Sequence, residues 1–382
     1  MSDPTITTSA RRILVFGFLA FVLIGLEQGI LGLFVVELGI ELRRSPEELG
    51  LFFALHGVGS AIVTGSALLG WLERRNSKRI ALASVSLGVG SFLIIFGNSW
   101  PLKLLAAPLL GIGFGGLSMS FNTLFVTYFS RKNAGLLNVL NATYGLGAVA
   151  APWFVSTRVF SATEVFLTIA GLSFIVTIGA WGVDDRVPST TPTNINQDNR
   201  TKAIAPLLLT AFLILFLEAG LTYWMPSLLA NKSNDDMVGA NYMAAFFGWF
   251  VVVRLGAAAS AKWVSTLGFA LIGLSGVCGS LLLVKLGVIP LSKTSFIGAF
   301  MGLIFPNAYA WMLLTGHGGT ALGAKILLSA ITGATIGPWI LGWIWPTFGD
   351  AAVLLTLAGV SVGSFLIMLR THFRVRKISA IS

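Results

Sequence analysis

The chain has 382 residues, 55% of them hydrophobic and only 10% charged, with 44 glycines and a mean hydropathy of +0.86. That balance excludes a soluble globular domain, and it excludes nucleic acid as the reason for the net charge of +10, because the basic residues sit at the ends of apolar stretches. One cysteine, Cys278, excludes an intrachain disulfide and a thiolate metal site.

In chain order, apolar stretches of the roughly 20 residues needed to cross a bilayer recur near residues 13–36, 48–70, 79–98, 104–128, 134–156, 164–182, 204–229, 239–261, 267–287, 294–315, 325–345 and 351–369. The first is preceded by the polar segment MSDPTITTSARR and is too long for a signal peptide, so it is expected to be retained. Between the sixth and seventh stretches lies DDRVPSTTPTNINQDNRTK, which has no apolar periodicity and is expected to be mobile. The pattern predicts an all-α membrane protein of twelve transmembrane helices: an N-terminal six-helix half over 1–182, a linker over 183–203 and a C-terminal six-helix half over 204–382.

Basic residues mark alternate connections. Arg11 and Arg12, Arg74, Arg75, Lys78 and Arg79, Arg131 and Lys132, Arg186, Arg200 and Lys202, Lys262, Lys325, and Arg370, Arg374, Arg376 and Lys377 fall on one side. The other side holds only Arg43, Arg44, Lys103, Arg158, Lys232, Lys285 and Lys293. By the positive-inside rule, both termini and the linker are cytoplasmic, which predicts a multi-pass protein of the cytoplasmic (inner) membrane.

The two halves repeat one another. FVLIGLEQG, Phe21 to Gly29, returns as FLILFLEAG, Phe212 to Gly220, which places Glu27 and Glu218 at matching depths 191 residues apart. LTIAGLS, Leu167 to Ser173, returns as LTLAGVS, Leu355 to Ser361, and the pairs Pro152-Trp153 and Pro338-Trp339 correspond in the fifth and eleventh stretches. An offset near half the chain with an even number of spans between copies gives both the same orientation, so the halves are parallel. Small residues four apart, Gly57, Ala61 and Gly65 or Gly333 and Gly337, mark close helix contacts expected inside each half.

Several motifs carry no chemistry. GIGFGG, Gly111 to Gly116, satisfies a dinucleotide pattern but lies inside an apolar span instead of between a strand and a helix. His56, His317 and His372 share no metal-ligand spacing, and no serine lies in a nucleophile elbow. Neither catalytic residues, nor a metal, nor a cofactor is expected; an intramembrane enzyme and a non-transporting receptor are minor alternatives.

The carboxylates are the strongest functional signal, because an ionisable group at membrane depth is costly. At about 100° per residue, Gly25, Gly29 and Gly32 fall on one stripe suited to a neighbouring helix, and Glu27 points away from it, toward lipid or a polar cavity. The cavity is the expected environment, since lipid exposure of a mid-span carboxylate is costly, and a carboxyl whose pKa is raised by desolvation can take up a proton on one side and release it on the other. Glu27 and Glu218 are therefore the candidate coupling residues, with a structural, hydrogen-bonded acid as the alternative. Gln28, Asn122, Asn138, Asn141, Tyr144 and Asn307 supply polar groups at membrane depth, and Trp224 and Trp311 supply aromatic faces. Amides combined with aromatic rings suit hydroxyl-rich ligands. His56, Arg254, Glu73 and Arg75 are candidates for gating or charge pairing. For Arg254 two readings stay open: snorkelling to water, or a pair with Glu218 or an anionic substrate.

These features resemble the major facilitator superfamily, built from two parallel six-helix halves. The loop GWLERRNSKR, Gly70 to Arg79, looks like its signature G-x-L-a-D-r-x-G-r-r, with Gly70, Leu72, Arg75, Lys78 and Arg79 in register, Glu73 displaced by one and Ser77 in place of the second glycine. Within the superfamily, NTLFVT from Asn122, LNVLNATYGLGA from Leu137 to Ala148, the spacing of Glu218 to Trp224, and FPN from Phe305 to Asn307 are similar to the fucose permease-like sugar symporter group. The resemblance puts Asn141 in the place of a sugar-binding glutamine, whereas the positions of the group's coupling carboxylates hold Gly32 and Ser118. It implies a secondary transporter that moves a sugar or polyol by alternating access, with protons or sodium as coupling ions. The alternative is a proton-driven exporter of amphipathic drugs or metabolites. Expected partners are a small-molecule substrate, membrane lipid and a coupling ion, with no nucleic acid, in a monomer.

Overall fold

The computed structural model describes residues 8–68, 75–129, 134–181, 183, 201–233, 237–260, 263–316 and 320–379. Gly70, Leu72 and Glu73 of the basic loop, residues 184–200 of the linker, His317 and the side chain of Asn138 lie outside the described residues.

Every long element is a helix, as expected where no water satisfies backbone groups: α1 Thr8–Glu41, α2 Pro46–Leu68, α3 Asn76–Phe96, α4 Trp100–Phe129, α5 Ala134–Ser156, α6 Ala162–Ala180, α7 Thr201–Ala230, α8 Val238–Ser260, α9 Thr266–Lys285, α10 Ile297–Thr315 and α11 Thr320–Ser379. No strand occurs among the described residues. Ten of their stretches are long and apolar enough to cross a membrane.

Straight, the 60 residues of α11 would reach about 90 Å, roughly three times the hydrocarbon thickness. Gly349, at φ 77° and ψ 179°, breaks it, so this element holds two of the expected spans. A side chain at that φ would be strained, which is why the corner needs glycine. Other ends are set by local chemistry. Ser45 donates its N–H to Glu48 at 3.0 Å and Pro46 opens α2, where its missing N–H is harmless. Ser161 and Glu164 form a reciprocal capping box at the start of α6.

The chain forms two compact units, Met1–Phe34 with Val58–Thr191, and Val35–Gly57 with Pro192–Ser382. In the first, α3 packs on α4 and α6. The stripe of α1 lies on α5: a Cβ at Gly25 would stand 2.1 Å from the Tyr144 carbonyl oxygen, and one at Gly29 2.5 Å from that of Ala148. Lys103, although a cation, is buried, because its ammonium donates to the Ile94 carbonyl at the end of α3 and sits 5.9 Å from the centre of the Phe34 ring.

In the second unit, α7 and α11 form the most extensive seam. Gly333 and Gly337 pack on Phe212 and Phe216, and a Cβ at Gly333 would fall 1.9 Å from the Phe212 carbonyl oxygen. The other small-residue stripe departs from expectation. Gly57 meets Thr335 of α11, not a helix of its own six, and nothing lies within 4 Å of Gly65. Both Gly57 and Thr335 belong to the second unit. Small residues permit close approach without naming the partner.

Candidate functional site

In the first unit, the contact of α1 with α5 fixes the rotation of Glu27. Its side chain is wholly enclosed, at 0% exposure, with both carboxylate oxygens out of reach of solvent. Lipid contact is thereby ruled out in this state, and so is the open polar cavity expected from the sequence. Gly25 and Gly29 seat α5 on α1, and the neighbouring Ile24, Leu26, Ile30 and Leu31 are buried along with the acid. Gln28 and Asn122 are half-buried, Asn141 is exposed, and Tyr144 is half-buried with its ring 6.5 Å from that of Phe114. Arg75, immediately before α3, is exposed.

The second unit holds the other acid. Glu218 on α7 is half-buried, and its Oε2 is inaccessible and accepts no hydrogen bond from the described residues. Arg254 of α8 acts on it electrostatically. The Arg254 guanidinium lies 4.0 Å from the centre of the Phe250 ring, and its Nε is buried. The side chain is turned back over the preceding turn, onto the Phe250 ring. On α10, Trp311 is 4% exposed and its Nε1–H has no partner among the described residues, while Asn307 donates its amide to the Leu303 carbonyl at 2.8 Å. His56 is buried in the same unit.

Trp224 is placed differently from its expected substrate-facing role. It is 1% exposed, and its indole N–H donates to the Pro338 carbonyl at 2.9 Å. Its ring meets Phe53 at 5.7 Å and Trp345 at 5.4 Å, both edge-on, and Phe53 stacks on Tyr223 at 4.3 Å. The indole of Trp345 donates to Asp350, which pairs with Lys232 at 3.0 Å. This chain of contacts joins the start of α2 to α7 and both parts of α11. Phe53, Trp345 and Asp350 were not singled out from sequence, and Lys232 only as a basic residue of a connection. The pairing of a tryptophan with an acid five residues on, across a glycine, is the local signal that marks part of it.

The profile described as Major Facilitator Superfamily matches residues 17–325, most of the chain. The chain belongs to the Major Facilitator Superfamily. The Glucose/mannose transporter GlcP of Bacillus subtilis (strain 168) is 20% identical over 397 aligned positions, covering 96% of this chain and 95% of that protein. Among solved structures, a variant of nucleoside transporter NupG has a TM-score of 0.75 at 15% identity, covering 94% of this chain and 99% of its own. A D-xylose-proton symporter has a TM-score of 0.72 at 13% identity, covering 95% and 97%. At such identities the structural likeness establishes the shared fold. This superfamily member is a multi-pass membrane transporter and not an enzyme.

Proposed function

We propose that this transporter moves a sugar or polyol by alternating access, and that Glu218 and Glu27 couple its movement to protons or sodium. The observation that carries the reading is the pair of unmatched polar atoms in the second unit, the Glu218 carboxylate oxygen on α7 and the Trp311 indole N–H on α10. A buried polar group without a partner costs about 1–3 kcal/mol. Such a cost persists where a ligand, an ion or a second conformation relieves it. An acceptor and an aromatic donor are what a hydroxylated ring needs. A relative whose name assigns it glucose and mannose, matched over nearly its whole length, supports that substrate class.

The enclosed state of Glu27 agrees with a proton carrier caught between exposures, because a carboxyl sealed from water exchanges nothing until the surrounding helices move. The excess of basic residues in alternate connections supports the inner membrane, with both termini cytoplasmic. The halves 1–182 and 204–382 are the proposed moving bodies.

The test is counterflow in proteoliposomes preloaded with single solutes. Hexoses or polyols should exchange and amphipathic cations should not. Exchange of amphipathic compounds with no response to any sugar or polyol overturns the assignment in favour of the exporter.

A further inference from the structure

A further cavity, in the first unit, has neither acid in its lining. It is a groove of about 420 Å³ between the start of α1 and the end of α6, lined by Arg12, Phe16, Ile175, Ile178, Gly179 and Trp181. Arg12 and Phe16 are one helical turn apart on α1, and Ile175, Ile178 and Gly179 share one face of α6. A Cβ at Gly179 would meet the Phe16 ring at 2.2 Å, so this ring rests on the glycine and forms the floor. The walls are uncovered: Trp181 is 83% exposed, Ile178 68% and Ile175 48%.

From this geometry we infer that the groove binds an anionic glycerophospholipid. Its phosphate sits at Arg12 and the Trp181 indole, and its first acyl carbons lie over Phe16, Ile175 and Ile178. Three facts converge on that occupant. The apolar part of the groove runs inward from a terminus, Arg12 to Phe16 covering about 6 Å along the axis, which is the depth of the boundary between headgroups and acyl chains. The polar end presents a guanidinium, whose planar fork matches phosphate, together with the Trp181 side chain, and no acidic residue among the described residues lines the groove. Six spans separate the two ends of the groove, so both belong to one leaflet, the side on which Arg11, Arg12 and the other basic connections lie.

A second surface groove, of about 380 Å³ along α11 past Trp339, Trp343 and Phe348, carries no charge in its lining and serves as an internal contrast. It offers a lipid tail a surface without selecting a headgroup.

The inference requires only a membrane protein, so its outcome is independent of the sugar reading. The full chain, purified in neutral detergent, is titrated with phosphatidylglycerol or phosphatidylcholine while its unfolding midpoint is followed. Phosphatidylglycerol should raise the midpoint at concentrations where phosphatidylcholine does not. Arg12→Gln should weaken the apparent affinity for phosphatidylglycerol about tenfold through loss of the charge-assisted contact. Arg11→Gln, which changes the same net charge one position off the groove face, should weaken it by less than about threefold. Arg12 is exposed, so the lipid-free midpoint of R12Q should match that of the unsubstituted chain. Trp181→Ala should also lower the affinity. Equal response to the two lipids, full retention of affinity in R12Q, or equal losses in R11Q and R12Q would each overturn the site, the last by reducing it to diffuse surface charge.

Discussion

Replacing Gly333 with alanine adds one methyl group, and the structure says where that group must go. The ideal Cβ would stand 1.9 Å from the carbonyl oxygen of Phe212, 2.7 Å from its carbonyl carbon and 3.0 Å from its Cα. All three obstacles are backbone of α7, so no rotamer change relieves them, and α7 and α11 have to separate by more than 1 Å along their seam. Overpacking of a tight core costs about 1–3 kcal/mol, and an unyielding backbone neighbour puts this site at the upper end. For a chain of this size about 3 kcal/mol corresponds to a fall of about 4 °C in the unfolding midpoint. Gly248→Ala is the matched control. Gly248 is also in a helix interior, yet nothing lies within 4 Å of its Cβ position, so the added methyl should be neutral or stabilising by about 0.5–1 kcal/mol. Both variants are followed by intrinsic fluorescence during heating in the same detergent. An unchanged midpoint in G333A, or equal losses in both variants, would show that the α7 and α11 seam is looser than its geometry states.

Glu218→Gln should leave exchange between equal pools intact and abolish accumulation, which for one proton per solute reaches about 50-fold at 100 mV because that potential supplies roughly 2.3 kcal/mol per charge; retained accumulation removes Glu218 from coupling. Trp311→Phe keeps a ring but removes the unmatched donor, so it should raise the apparent Kd for the transported solute about tenfold with little change in midpoint, and an unchanged Kd in a binding titration would refute a ligand contact. Trp224→Phe should do the reverse. Loss of its bond to the Pro338 carbonyl lowers stability by about 1 kcal/mol while solute affinity holds, and a large affinity loss without destabilisation would return Trp224 to the binding surface.

The fold class was legible from composition and span length because a bilayer leaves the backbone few options: each apolar stretch has to become a helix, and Gly349 is the kind of residue at which a longer one turns. The duplication was legible too, since Glu27 and Glu218 recur in matching segments 191 residues apart. Helical periodicity correctly turned the Gly25 and Gly29 stripe toward a neighbour, yet it could not say that the neighbour was α5 or that Glu27 would be enclosed completely. For Trp224 the sequence offered an aromatic at membrane depth, and only the approach of Phe53, Pro338 and Trp345, distant along the chain, decided that its ring packs and its N–H is engaged.

What the sequence determined by itself is everything governed by one helix and its solvent: which segments cross the bilayer, where they are capped or broken, and which residues are too polar to be there without cause. What the tertiary structure decided is every property that depends on a second helix. Gly57 met α11 instead of its own half, Arg254 folded back over Phe250, and the Trp311 donor was buried with no partner among the described residues. In lipid, where the faces of apolar helices look alike to their solvent, partner choice rests on close packing and on matched polar atoms, and both are properties of pairs of surfaces.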